Sequence, residues 1–192
     1  MASIFELLGV LLTSFLLNLI PFAGPSNLLI ASNAAILMGS DAFTLGFLVA
    51  LGSASAKLVH YVITYFIGGH LSENRRKRLE NVSAKVGKWA FLALFIASAT
   101  PVPDEPVIIP LGLMKYNPAK FCLAIFLGKI SITILGAYLG QMSAGFLSST
   151  LSQIAFITLS ITLTIAITII LLKVDITKIV QKIIKTKAKQ KQ

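Results

Sequence analysis

Apolar residues fill this chain in long blocks, and polar residues interrupt them at few places. Residues 3–20, 42–69, 118–147 and 151–172 form four such blocks. About 20 apolar residues suffice to cross a bilayer as a helix, so the second and third blocks exceed the need and are expected to tilt. Two shorter apolar stretches, 21–38 and 91–114, are broken by proline: Pro21 and Pro25 in one, Pro101, Pro103, Pro106 and Pro110 in the other. Proline removes a helical hydrogen bond and clashes with the preceding turn. Broken backbone survives at membrane depth only where protein or a water-filled cavity surrounds it. Both stretches are therefore expected to be re-entrant hairpins.

Each hairpin ends at a helix-start signal. Asp41 can cap a helix beginning at Ala42, and Asn117 can cap one beginning at Pro118, where proline suits the first helical position. The two caps are 76 positions apart, and the offset persists beyond them. Residues 15–69 share eleven identities in fifty-five positions with the segment 76 residues later, including Pro25 with Pro101 and Gly52 with Gly128. Apolar composition alone gives roughly four or five, so an internal repeat is expected.

Charge adds a topology. Of seventeen Lys and Arg, six lie in 71–89 and seven in 173–192. Basic segments beside apolar blocks mark the cytoplasmic side. With both there, the two hairpins enter from opposite faces, as in an inverted-topology repeat. The expected fold is an all-α polytopic membrane protein, each repeat holding a proline-containing re-entrant hairpin and a long tilted helix. Residues 1–172 make the membrane domain, and residues 173–192 a basic amphipathic cytoplasmic tail. There Ile176, Ile179, Val180, Ile183 and Ile184 share one helical face, opposite Lys178, Lys182 and Lys185, which suits an anionic lipid surface. Leu79, Val82, Val86 and Trp89 hint at a second interfacial helix. Residues 3–20 carry Glu6 and lack a basic leading segment and a cleavage site, so they are expected to remain as the first helix.

Composition agrees with these blocks. The chain of 192 residues is 56% hydrophobic and 12% charged, too few polar residues to cover a soluble domain of this size. The net charge of +10 is concentrated beside apolar segments and reads as membrane topology, with no nucleic acid implied. A single cysteine, Cys122, excludes a disulfide framework, and two histidines exclude a His-rich metal centre. No nucleotide-binding glycine fingerprint, HExxH or GxSxG is present. The chain is thus read as a non-enzyme without metal or cofactor.

The charges inside apolar blocks carry the candidate chemistry. Lys57 and Lys129 fall within predicted spanning helices, where an isolated charge costs roughly 2.5–3.5 kcal/mol. Asp104 and Glu105 sit in the second hairpin. Two cations and two anions at membrane depth suggest mutual neutralisation, with Lys57 and Lys129 facing the hairpin. His60, three residues beyond Lys57, shares its helical face and adds a group that titrates near neutral pH. As neighbours on an extended segment, Asp104 and Glu105 are expected to point apart, poor geometry for a catalytic dyad. Asn27 and Asn33 are expected to satisfy broken backbone. Gly136 and Gly140 form a GxxxG, which offers a contact for a homo-oligomer.

The hairpin Thr100-Pro-Val-Pro-Asp-Glu-Pro106, followed by Leu111-Gly112-Leu113-Met114, Phe121 and Leu127-Gly128-Lys129, resembles the second half of the DedA/VTT family, also called the SNARE-associated Golgi protein family. Gly24-Pro25-Ser26, Gly52, Tyr61 and Gly68-Gly69 resemble its first half, and the similarity covers about residues 5–172. The resemblance implies inverted repeats with re-entrant hairpins and lipid movement across a bilayer. Bacterial members are associated with returning polyprenyl-phosphate carriers, eukaryotic members with phospholipid scrambling. Bacterial members carry acids where this chain has Ser26 and Lys57, and arginines where it has Ser98 and Asp104. The signs at Lys57 and Asp104 are thus exchanged, and lipid phosphate would fall to Lys57 and Lys129.

The expected function is that of a lipid transporter, a scramblase or a proton-coupled flippase, in which Asp104, Glu105 and His60 handle protons or ions. A proton- or cation-coupled transporter of a soluble substrate, or a membrane scaffold, is the alternative. The expected location is a prokaryotic plasma membrane, with the C-terminus in the cytoplasm.

Overall fold

A computed structural model describes residues 3–22, 24–70, 73, 89–144, 152, 154, 155, 158, 159, 162 and 166. The described part is all-helical: α1 (Ile4–Leu19), α2 (Asn27–Met38), α3 (Ala42–Gly69), α4 (Trp89–Ser98), α5 (Glu105–Leu113) and α6 (Pro118–Ala144). The basic tail, with Lys178, Lys182 and Lys185, lies outside the described residues, as do Leu79, Val82 and Val86.

Among the described residues, only α3 and α6, of 28 and 27 residues, are long and apolar enough to cross a membrane. Both begin where their caps predict. The Asp41 carboxylate accepts the Thr44 N–H at 2.8 Å, and Asn117 Oδ1 accepts the Lys120 N–H at 3.0 Å. The Thr44 bonds hold the Asp41 pKa below the ordinary carboxylate value. The residues just before these caps also correspond: Gly39 and Lys115 both take left-handed backbone, at φ 57° and 52°.

The two long helices cross antiparallel. A Cβ on Gly46 near the start of α3 would lie 2.8 Å from the Ile134 backbone late in α6, whereas Tyr61 late in α3 stacks on Phe121 early in α6 at 4.0 Å. Their starts therefore stand at opposite ends of the molecule. The Tyr61 hydroxyl also donates to the Tyr116 carbonyl, which ties α3 to the turn before α6.

The short helices flank this pair in a crossed arrangement. α1 packs along α3, close enough that a Cβ on Gly52 would lie 3.0 Å from Ser14 Cβ. α4 approaches α6 in the same way, with the Gly128 Cβ position 2.6 Å from Ser98 Cβ. α2, by contrast, lies on α6, and α5 on α3. Gly136 and Gly140 make the first of those contacts, since a side chain at either would collide with the Leu28 or Ser32 carbonyl. The GxxxG expected to serve a homo-oligomer is thus occupied within one chain.

One boundary differs from the sequence reading. Residues 27–38 form one helix, and α1 has only 16 residues, fewer than the roughly 20 that span. The turn at Ile20–Ser26 folds α2 back from α1, so these two helices are the arms of one bend. The proline and glycine that break the chain sit at its tip, where Phe22 also takes left-handed backbone at φ 63°. The outer faces are apolar and exposed: Leu8, Leu12 and Leu16 on α1, Ile63 and Phe66 on α3, Leu135 and Met142 on α6. Such a surface is suited to hydrocarbon rather than water.

Candidate functional site

The tips of the two bends meet α3 and α6 at one place. Lys57 lies 15 residues into α3, about 22 Å along its axis at 1.5 Å per residue. Lys129 lies 11 residues into α6, about 16 Å along. Because the helices run antiparallel, both ammonium groups sit near the middle of their length, where the two helices cross.

Asp104 and Glu105 come to them from the second bend. Asp104 has backbone angles of φ −97° and ψ −6°, and Glu105 opens α5 with Pro106 behind it. Proline is tolerated in the first helical turn, where its missing N–H is unpaired in any case. The expectation that the two carboxylates point apart on extended chain is therefore corrected. A helical turn brings both to the same lysine. Lys57 Nζ stands 2.5 Å from Glu105 Oε1 and 3.4 Å from Asp104 Oδ1, and Lys129 Nζ stands 2.6 Å from Asp104 Oδ2. All four residues are at most 4% exposed. Two positive and two negative charges balance, as burial in low dielectric requires.

The cluster borders a cavity of about 380 Å³, which both bends line. Pro25, Ser26 and Asn27 come from the first bend, and Thr100 to Pro103 from the second. Pro110 lies inside α5, and Pro21 is exposed in the first bend; neither lines the cavity. Asn18 reaches the cavity from the last turn of α1. Its amide donates to Asn27 Oδ1 at 2.8 Å and to the Ser14 carbonyl at 2.9 Å, which holds the first bend closed. Several polar atoms around the cluster are buried without a hydrogen-bond partner: Ser26 Oγ, Ser98 Oγ and Glu105 Oε2. Unpaired polar atoms at this depth are costly, and Ser26 and Glu105 place theirs at the cavity wall.

His60 stands apart. Its Nε2 is 2.9 Å from the Leu19 carbonyl at the end of α1, and its Nδ1 is buried without a partner. A carbonyl needs a donor, so Nε2 carries the proton and the ring links α1 to α3. Asn33 is on α2, away from the charge cluster.

Sequence reading missed Asn18 at the cavity and two buried hydroxyls beside the lysines, Ser53 and Thr133, which donate to carbonyls of their own helices. Asn18 falls in the middle of an apolar block, and its partner is visible only once the bend folds. Ser53 on α3 and Thr133 on α6 are fully buried, each one turn from a lysine (Ser53 before Lys57, Thr133 after Lys129). The signal for both was present: under the 76-residue offset, Ser53 matches Lys129 and Lys57 matches Thr133. Each long helix thus buries one lysine and one hydroxyl at the same two positions, in opposite order.

No curated protein and no solved structure shows detectable similarity to the chain. The VTT domain matches residues 24–142, which contain the second bend, all of α3, nearly all of α6 and all four charged residues of the cluster. The chain belongs to the DedA/VTT family of membrane proteins.

Proposed function

We propose that this chain moves a phosphate-bearing lipid between the leaflets of a membrane, as a transporter and not as an enzyme. The observation that carries the reading is a charge-balanced, buried cluster beside a cavity at mid-depth, where two proline-broken bends converge. A lipid headgroup crossing the bilayer needs polar partners at that depth, and a substrate site on broken helices is how transporters supply them.

The charge balance suggests the chemistry. Lys57 is shared between Asp104 and Glu105, whereas Lys129 is held by Asp104 alone. A phosphate entering the cavity would take Lys57 from Glu105. The released carboxylate would then be an unpaired buried anion, which favours its protonation. A singly charged phosphodiester arriving with one proton leaves the net charge of the cluster unchanged, and that is a route to proton coupling. Both lysines contact phosphate as point charges rather than bidentate forks. His60, off the cavity, is assigned a place on the proton path from α1.

The frame for this movement is an inverted-topology repeat, α1–α3 against α4–α6. Its support is the shared 76-residue offset of caps and left-handed residues, the matched Gly52 and Gly128 approaches, and the antiparallel crossing of α3 and α6. The bends then act as re-entrant hairpins from opposite faces. Positive charge in 71–89 and 173–192 puts those segments and the C-terminus in the cytoplasm, on an anionic surface met by Lys178, Lys182 and Lys185. Their sequence leans towards a prokaryotic plasma membrane. A transporter of soluble cations fits less well, because a cation would have to displace an ammonium from each carboxylate.

The test is fluorescent-lipid redistribution in proteoliposomes, with and without a pH gradient, for wild type and Asp104→Asn checked for folding by size exclusion. Redistribution without a gradient identifies a scramblase, and redistribution only with one identifies a proton-coupled flippase. Asp104→Asn should abolish either. No redistribution by wild type, or normal flux through a folded Asp104→Asn, overturns the reading.

A further inference from the structure

We infer that the groove between α1 and α2 holds a hydrocarbon chain of the same lipid whose phosphate enters the charged cavity; this rests on the function proposed above. α1 and α2 scarcely touch along their length, which leaves a space of about 390 Å³ between them. Val10, Thr13 and Leu17 form one wall, and Ile30, Ala34 and Leu37 the other. Pro25 and Leu29 border both this groove and the charged cavity, so the two spaces adjoin.

The dimensions fit a chain in one leaflet. The groove follows α1 from Leu17 back to Glu6, eleven residues or about 16 Å. Half of a hydrocarbon core about 30 Å thick is about 15 Å. Its inner end, at Leu17, Pro25 and Leu29, adjoins the charged cavity. Its outer end carries Glu6, whose carboxylate accepts the Ser3 N–H at 2.7 Å in an exposed capping box, polar chemistry that belongs at the membrane surface. A polar headgroup site at one end and an apolar channel one leaflet long make a site for one amphiphile.

Where α4 and α5 are described, they pack against α3 and α6 instead. Leu94 of α4 and Ile108 and Leu111 of α5 share one buried cluster with Tyr61 and Phe121, and Phe91 and Phe95 pack against it. In α1, Gly9 beside the groove has open space where a Cβ would stand. The chain is held in the leaflet beside the Gly39–Asp41 turn, since Met38 shares the outer end of the groove with Glu6.

Gly9→Phe fills the groove without touching the charge cluster, and replacing glycine within a helix does not weaken that helix. Ala34→Leu narrows the groove from the other wall. The full chain, purified and delipidated in detergent, is incubated with dioleoyl phosphatidic acid and examined by native mass spectrometry. Inorganic phosphate, at the same concentration, is the chain-free arm. Wild type is expected to retain one lipid, at least about tenfold more tightly than Gly9→Phe or Ala34→Leu. Thermal unfolding should be unchanged in at least one variant. Inorganic phosphate should be held far more weakly than the lipid. Equal retention by folded variants, equal binding of lipid and phosphate, or no retention by wild type each overturns the groove. The redistribution assay separates the two claims. Undiminished flux through folded Gly9→Phe sinks the groove and leaves transport standing; groove-dependent retention without flux in wild type does the reverse.

Discussion

Lys57 serves two carboxylates, and that sharing makes the cluster sensitive to which partner is lost. Replacing Lys57 with Met takes from Glu105 the lysine paired with it while Asp104 keeps Lys129. An uncompensated buried charge of this kind costs about 3–5 kcal/mol. Adding Glu105→Gln removes the stranded charge, so the double variant should recover most of that loss. Unfolding of the two proteins in detergent checks this; a double variant no more stable than Lys57→Met would mean that Glu105 is not held by Lys57. Tyr61 gives a smaller, separate test. Tyr61→Phe keeps the stacking on Phe121 but removes the hydrogen bond to the Tyr116 carbonyl. It should lower stability by about 1 kcal/mol, measured as a fall in Tm.

Among the elements, the crossed packing of α2 on α6 depends on two small residues. Gly140 meets the Ser32 carbonyl so closely that even one methyl group must push α2 away. Gly140→Ala should cost about 1–3 kcal/mol, as overpacking does, and should leave the oligomeric state of the protein unchanged by light scattering. Dissociation of an oligomer with no loss of stability would restore the intermolecular role that the GxxxG alone suggests. The break between α1 and α2 was visible in Pro21 and Pro25. That α1 itself is one arm of the bend was not, because sixteen apolar residues read as a slightly short span unless their partner helix is seen.

For the whole molecule, the antiparallel crossing puts the turns before α3 and before α6 at opposite ends. In a Cys122→Ala background, which removes the exposed native thiol, cysteines at Phe43 and Lys120 should label from opposite sides of a sealed membrane with an impermeant reagent. Labelling of both from one side would disprove the inverted arrangement. The caps at Asp41 and Asn117, 76 residues apart, each start a long helix where the sequence placed it. The halves differ in use, with a groove beside α1 and a packed cluster beside α4.

The sequence alone determined what local chemistry controls. Runs of apolar residues set the helices, caps set the starts of α3 and α6, and prolines set the breaks. Four charges in apolar surroundings marked themselves as partners, because hydrocarbon leaves a lone charge no other option. Only the tertiary structure decided which partners meet. Lys57 and Glu105 are 48 residues apart and pair because α5 lies on α3, while the helical turn at Asp104 aims both carboxylates at one ammonium. His60 has the same helical face as Lys57, yet it turns to the Leu19 carbonyl, a partner that exists only where α1 ends against α3. Spacing along one helix fixes a side chain's direction; what waits there is fixed by the packing of the others.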